Sequence, residues 1–242
     1  MRLPRLYAPG LTQLVLAQFS EPLRQSWQGL INGEQFDQIT RWMGEAALAH
    51  GVRIHAWSLT PKALRLVASP SDASALSRLV QSIGRRLGAI RRDGPVFQGR
   101  FRCALLEQGA WVMPAIIWVE TAPVREGLTP VATAWRWSSA PTHAGSDRGL
   151  PGPLTFHPDY WSCGNTPFDR QAKHQAALAR GLEAAEVIRI DQAVLGQWAL
   201  GSETFVLGLG DVASRRPSPG RRGRPRKLTA MTPSDIPSET IT

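Results

Sequence analysis

Two runs of alternating apolar and polar residues, VRIHAWSL from Val52 and ALRLVAS from Ala63, are separated only by Thr60, Pro61 and Lys62. Alternation puts every second side chain on one face of a strand, and so short a break between two such runs makes an antiparallel hairpin. A hairpin alone is marginal in water, so the flanking chain must extend the sheet and cover it. The flanks have the patterns for this. FDQITRWMGEAALAHG carries Phe36, Ile39, Met43 and Ala46 or Ala47 on one helical stripe ended by Gly51, and LSRLVQSIGRRLGAI carries Leu76, Leu79, Val80, Ile83, Leu87 and Ile90 on another. LTQLVLAQF and QGRFRCALL read as further strands. The order strand, helix, strand, strand, helix, strand, helix predicts an α+β fold, a mostly antiparallel sheet with helices packed on one face.

The rest of the chain has a different texture. We place a transposition of character at residue 130: an α+β domain over 1–130, an irregular connecting segment rich in Pro, Gly, Ser and Thr over 131–167, a helical region over 168–212, and a tail over 213–242. Trp135, Trp137 and Trp161 read as anchors of the irregular segment. Pro217, Pro219 and Pro225 exclude helix in the tail, which the composition predicts to be disordered. Cys103 and Cys163 are the only cysteines, so a disulfide framework and a thiolate cluster are both excluded. The longest apolar run, Trp111 to Val119, is too short to span a bilayer and contains Pro114. Pro4, Pro9 and Gly10 break the basic N-terminus before an apolar signal core forms, so the expected location is cytoplasmic, with no membrane partner.

Charge narrows the partner. The 242 residues carry 28 Lys+Arg against 19 Asp+Glu, a formal charge of +9. Seven basic residues against three acidic ones lie in 211–242. A second cluster contains Arg78, Arg85, Arg86, Arg91, Arg92, Arg100 and Arg102, with Asp93 opposing. Arg78, Arg85 and Arg92 recur every seven residues, one row on a helix, and Arg100 and Arg102 share a strand face. Such a surface suits a polyanion. In the tail, Arg221, Arg222, Arg224, Arg226 and Lys227 surround a Gly223-Arg224-Pro225 core that looks like an AT-hook, a form suited to the minor groove of A·T-rich duplex.

The order of several motifs resembles the REP-associated tyrosine transposases, a family of the single-tyrosine HUH transposase superfamily. The matching pieces are RLPRLYAPG, HGVRIHAWSLTP, LSRLVQSIGRR, FQGRFR, WVETAPVREGL, WRWSS followed by His143, WALGSETF and GRRGRPRK, spread over residues 2 to 227. The resemblance implies DNA transposition: two histidines in a His-hydrophobic-His strand hold Mg or Mn against a scissile phosphate, and a helical tyrosine attacks it. It also implies a single-stranded or hairpin REP-like DNA partner.

At the three chemical positions this sequence departs from the family. LTPKALRL aligns with the histidine motif and puts Ala63 and Arg65 where the ligands belong; WVETAPVREG puts Trp118 at the tyrosine. Neither side chain at 63 or 65 can ligate a cation, and indole has no nucleophilic oxygen. Among the remaining histidines, 50, 55, 143, 157 and 174, no two have the His-x-His spacing, and His55 reads as a structural hydrogen-bonding group. The expectation is a transposase-derived DNA-binding protein without cofactor, catalytic site or strand cleavage. Two alternatives stay open: an active nickase using Tyr7 or Tyr160, and a protein-interaction role through the apolar helix around Trp118.

Overall fold

The computed structural model describes residues 4–21, 33–90, 94–146 and 152–220. The hairpin forms as the alternation requires: β2 (Val52–Leu59) pairs antiparallel with β3 (Ala63–Pro70). β1 (Gln13–Gln18) pairs antiparallel with β3 on one side and with β4 (Arg102–Leu105) on the other, giving a four-stranded sheet of order β2-β3-β1-β4. With α1 (Gly33–Ala49) between β1 and β2, and α2 (Ala75–Ile90) between β3 and β4, this is a β-α-β-β-α-β arrangement. Both helices bury most of the predicted stripes: Phe36, Ile39 and Met43 of α1 and Leu79, Ile83 and Leu87 of α2 pack on Val15, Ile54, Leu64 and Leu66, whereas Ile90, expected on the α2 stripe, is exposed because it ends the helix beyond the last core contact.

The sequence pattern predicted helices on one face, but the structure has them on both. α3 (Val112–Glu120) and α8 (Ala184–Gly196) cover the opposite face, joining Leu14, Ala56, Ala63 and Val67 in a second core with Ala115, Ile116, Trp118, Ile190 and Val194. The reason lies in α3 itself. VMPAIIWVE is apolar all round, and a helix without a polar face must be buried on every side. Pro114 does not interrupt it, since it occupies the first turn, where its missing N–H has no intrahelical partner to lose. A β-bulge between Ile54 and Ala56 lets His55 and Ala56 both face this second layer, which strict alternation would forbid.

Between α3 and α8 lie α4 (Ala122–Arg125), α5 (Ala140–His143), α6 (Pro158–Trp161) and α7 (Pro167–Arg180), and α9 (Glu203–Gly208) follows α8. The irregular segment covers the outer edge of β2: Leu59 N–H donates to the Trp137 carbonyl at 2.9 Å, Ser139 N–H to Trp57 at 2.9 Å, and Thr155 N–H to Ile54 at 2.7 Å. Trp135 is buried with its indole N–H on the Leu59 carbonyl, and Trp137 donates to Asp37 of α1. These two tryptophans anchor as expected. Trp161 does not, being half exposed beneath the Arg170 guanidinium. Among the described residues no helix is long and apolar enough to cross a membrane.

Candidate functional site

β3 alternates, so residues 63 and 65 face the same way, toward the second core and α3. Ala63 is fully buried against the α3 layer. Arg65 reaches over Trp118, its Cζ 5.7 Å from the ring centroid, and binds Glu126 Oε1 at 2.5 Å and Thr60 Oγ1 at 3.2 Å. The three positions that the sequence alignment treats separately are therefore neighbours in space. Trp118 is itself held by a hydrogen bond from its indole N–H to Asp191 of α8 at 3.1 Å. A second guanidinium, that of Arg125, lies 5.0 Å from the Trp118 ring and donates to the Trp118 carbonyl at 2.7 Å. Burial, and next the Arg65 charge, bring the Arg125 pKa down to about 10, against the pull of Asp191 and Glu126.

Two arginines and two carboxylates thus surround one indole, and their formal charges cancel. The site is also shut: Trp118 is 4% exposed, and the Arg65 and Glu126 side chains 12% and 8%. The divalent cation implied by the sequence resemblance does not fit here. Ala63 offers a methyl group, and Arg65 is a cation already bound to Glu126. The Trp118 indole offers no oxygen nucleophile either. Tyr160 is 2% exposed, donates its hydroxyl to the His143 carbonyl at 3.0 Å, and has its pKa raised, first by burial. Tyr7 lies in the N-terminal segment, its N–H bonded to Ser214. α3 is not an available interaction surface, since Val112, Ala115, Ile116, Ile117, Trp118 and Val119 are all buried within the chain.

Two residues further along α3, Glu120 is wholly buried and bridges two imidazoles, His143 Nδ1 at 2.6 Å and His174 Nε2 at 2.6 Å, with Ser139 Oγ donating to it at 2.5 Å. Burial alone would push this carboxyl up; the two imidazoles and their hydrogen bonds outweigh it and hold the group well below the usual carboxylate range. The donor set is one a divalent cation accepts. The geometry, however, is hydrogen-bonding, and the outward nitrogens, His143 Nε2 and His174 Nδ1, have no partner, whereas metal-bound imidazoles are normally oriented through that nitrogen. The triad is a charge network that ties α3 to α5 and α7.

His55 is structural as expected: Nδ1 meets the Thr155 carbonyl at 2.7 Å and Nε2 meets Ser69 Oγ at 2.9 Å, and burial first of all lowers its pKa to about 4. Thr12 links Ser69 to His157 in the same cluster.

The predicted arginines separate into different groups. On α2, Arg78 binds Asp72 and Arg86 binds Glu45, while Arg85 is exposed. Arg100 and Arg102 are exposed and alternate with buried Phe101 and Cys103, but only Arg102 belongs to β4, Arg100 lying in a bend before it. Arg92 and the tail residues Arg221, Arg222, Arg224, Arg226 and Lys227 lie outside the described residues. The sequence reading did not single out Arg125, Glu126 and Asp191, nor the Glu120 triad; their partners are distant in the chain. The only available signal was the run WVETAPVREG, which holds Glu120, Arg125 and Glu126 together.

The layered sheet with its helices is similar in fold to a solved transposase. A solved structure of a REP-associated tyrosine transposase bound to a REP hairpin superposes with a TM-score of 0.50 at 14% identity, over 66% of this chain and 96% of that one. A proposed transposase from Deinococcus radiodurans is similar at 13% identity and a TM-score of 0.34, over 45% of this chain and 88% of that one. No protein-family model matches the sequence. No curated protein matches it either.

Proposed function

We propose that this chain is a transposase-derived DNA-binding protein that does not cleave strands. The observation that carries the reading is the convergence of Ala63, Arg65 and Trp118 at one closed, charge-neutral site on the sheet face below α3. In the REP-associated transposases, as the resemblance has it, this is where the metal-binding histidines and the tyrosine would meet. Here the cation's place is taken by a guanidinium, and the nucleophile's by an indole hydrogen-bonded to Asp191. The partner we assign is single-stranded or hairpin DNA, supported by the solved relative's REP hairpin and by the excess of arginine. The tail adds affinity for A·T-rich duplex through its hook-like core.

Incubation with a labelled DNA hairpin and Mn²⁺, followed by a denaturing gel, tests the chemistry. The expected result is retention of the hairpin under native conditions and no covalent adduct. An adduct abolished by Tyr7→Phe or Tyr160→Phe overturns the reading in favour of an active nickase.

A further inference from the structure

Trp161 is the one exposed tryptophan among the described residues, at 50%. The other tryptophans that lie under a guanidinium, Trp42, Trp111, Trp118, Trp137 and Trp198, are half-buried or buried. Although half in water, the Trp161 ring is fixed in place. The Arg170 guanidinium lies 4.4 Å from its centroid, and the Phe156 ring meets it almost perpendicularly at 5.6 Å. Arg170 is itself buried and donates to the Gly164 carbonyl at 2.8 Å, so the cation is held over the indole.

Behind the ring stands a rigid support. Phe156 stacks on Tyr160 with centroids 4.8 Å apart, Tyr160 packs against His143 at 4.8 Å and His174 at 5.7 Å, and both imidazoles are hydrogen-bonded to Glu120 of α3. The backbone adds its part: His157 caps α6 by accepting from the Asp159 N–H, and the Trp161 N–H donates to the His157 carbonyl at 3.2 Å. The acids nearest in sequence are engaged with backbone, Asp159 accepting from the Gly109 N–H at 2.7 Å and Asp169 closing the capping box of α7 with Thr166. Among the described residues Arg170 has no carboxylate within ion-pair distance.

An exposed side chain ordinarily keeps its rotamer freedom, and a ligand that docks on it has to order it. Trp161 is ordered beforehand. A flat aromatic surface in water beside a cation suits a flat, electron-rich ligand that carries negative charge, and a nucleotide is one. Bases inside a duplex have both faces covered by their neighbours, so only a base outside the paired stem can offer its face. We propose that Trp161, held by Arg170 and Phe156, is a stacking platform for one unpaired base of the bound DNA. The platform rests on the reading of this chain as a DNA-binding protein and adds which part of the DNA is gripped, the unpaired extension or loop of a hairpin. It uses none of the residues at the closed Trp118 site. Phe168, at 80% exposure, is not a second platform, since among the described residues no ring or guanidinium packs on it.

The test compares the affinity of the full chain for a fluorescein-labelled DNA hairpin with an unpaired thymidine extension and for a labelled blunt duplex, by fluorescence anisotropy at low salt. Trp161→Ala is expected to weaken binding to the extended hairpin by about 5- to 150-fold, the range for one base unstacked from an aromatic ring, and to leave the blunt duplex unchanged. Trp161→Leu, which keeps apolar bulk without a ring and so guards against a folding defect, should lose affinity in the same way, whereas Trp161→Phe should keep most of it. No phosphate contact is removed, so the log–log slope against salt should match the wild type in all three variants. Phe168→Ala should bind both DNAs as the wild type does. Unchanged affinity of Trp161→Ala for the extended hairpin, an equal loss on both DNAs, binding by Trp161→Leu as tight as by Trp161→Phe, or an equal loss in Phe168→Ala overturns the platform and leaves DNA binding standing. Failure of the wild-type chain to bind the extended hairpin at low salt overturns the DNA reading itself.

Discussion

Replacing Glu120 isolates the energy stored between α3, α5 and α7. The carboxylate is wholly buried and accepts from His143, His174 and Ser139. Because an ionised carboxylate only accepts, both facing imidazole nitrogens must carry hydrogen. Glu120→Gln keeps the shape and removes the charge. Two charge-assisted hydrogen bonds become neutral ones, a loss of about 1 kcal/mol each, and the amide N–H₂ forces one imidazole to switch tautomer and strand an N–H, a further cost of about 1 kcal/mol. We expect a loss of about 3 kcal/mol. Glu120→Ala leaves three buried donors without an acceptor and opens a cavity, for a loss of about 5 kcal/mol or more, a large part of ordinary domain stability. Urea unfolding at neutral pH, followed by circular dichroism, measures both from the midpoint at constant slope. The pH dependence gives an independent check. The folded-state pKa of Glu120 is depressed, so its contribution is complete above the unfolded value of about 4.3 and is lost as pH falls below it. The gap between wild type and Glu120→Gln should therefore close in acid. A gap under about 0.5 kcal/mol at pH 7, or one that does not shrink below about pH 4, refutes the charge-network argument.

Arg65→Ala strands the buried carboxylate of Glu126 and should cost about 3–5 kcal/mol, and much of this should return in the Arg65→Ala, Glu126→Ala double variant; a double-mutant cycle in urea decides. Ala63→His with Arg65→His frees Glu126 beside two imidazoles on one sheet face, and isothermal titration with Zn²⁺ should then show binding that the parent chain lacks at that position. His55 is neutral in the fold, with its pKa lowered to about 4, so stability should fall as pH drops from about 6.5 toward 4, by up to ~3 kcal/mol. His55→Gln should flatten that window and leave the acid limb of Glu120 in place. Arg224→Gln with Arg226→Gln should reduce the preference for A·T-rich over G·C-rich duplex in competition binding, with hairpin binding retained.

The β-α-β-β-α-β order was legible because each element buries one stripe or one face, and period alone reports that. The second helical layer was not, since α3 is apolar on all sides and carries no directional signal. Ala63, Arg65 and Trp118 could be singled out by alignment, but their closure could not be foreseen: Arg65 finds Glu126 61 residues on, and Trp118 finds Asp191 73 residues on. The Glu120 triad spans 54 residues to His174. Arg5 and Ser214, 209 residues apart, share a hydrogen bond that no window of sequence contains.

The partnered charges around Trp118 also bear on how such a site could change. Two of the three steps toward His, His and Tyr remove one member of a matched pair: loss of Arg65 leaves Glu126 without its cation, and loss of the indole N–H leaves Asp191 without its donor. A carboxylate left without its partner in this closed site costs stability. The ion pair and the hydrogen bond therefore act as a ratchet, and the residues around Trp118 change without a cost in stability only when several change together.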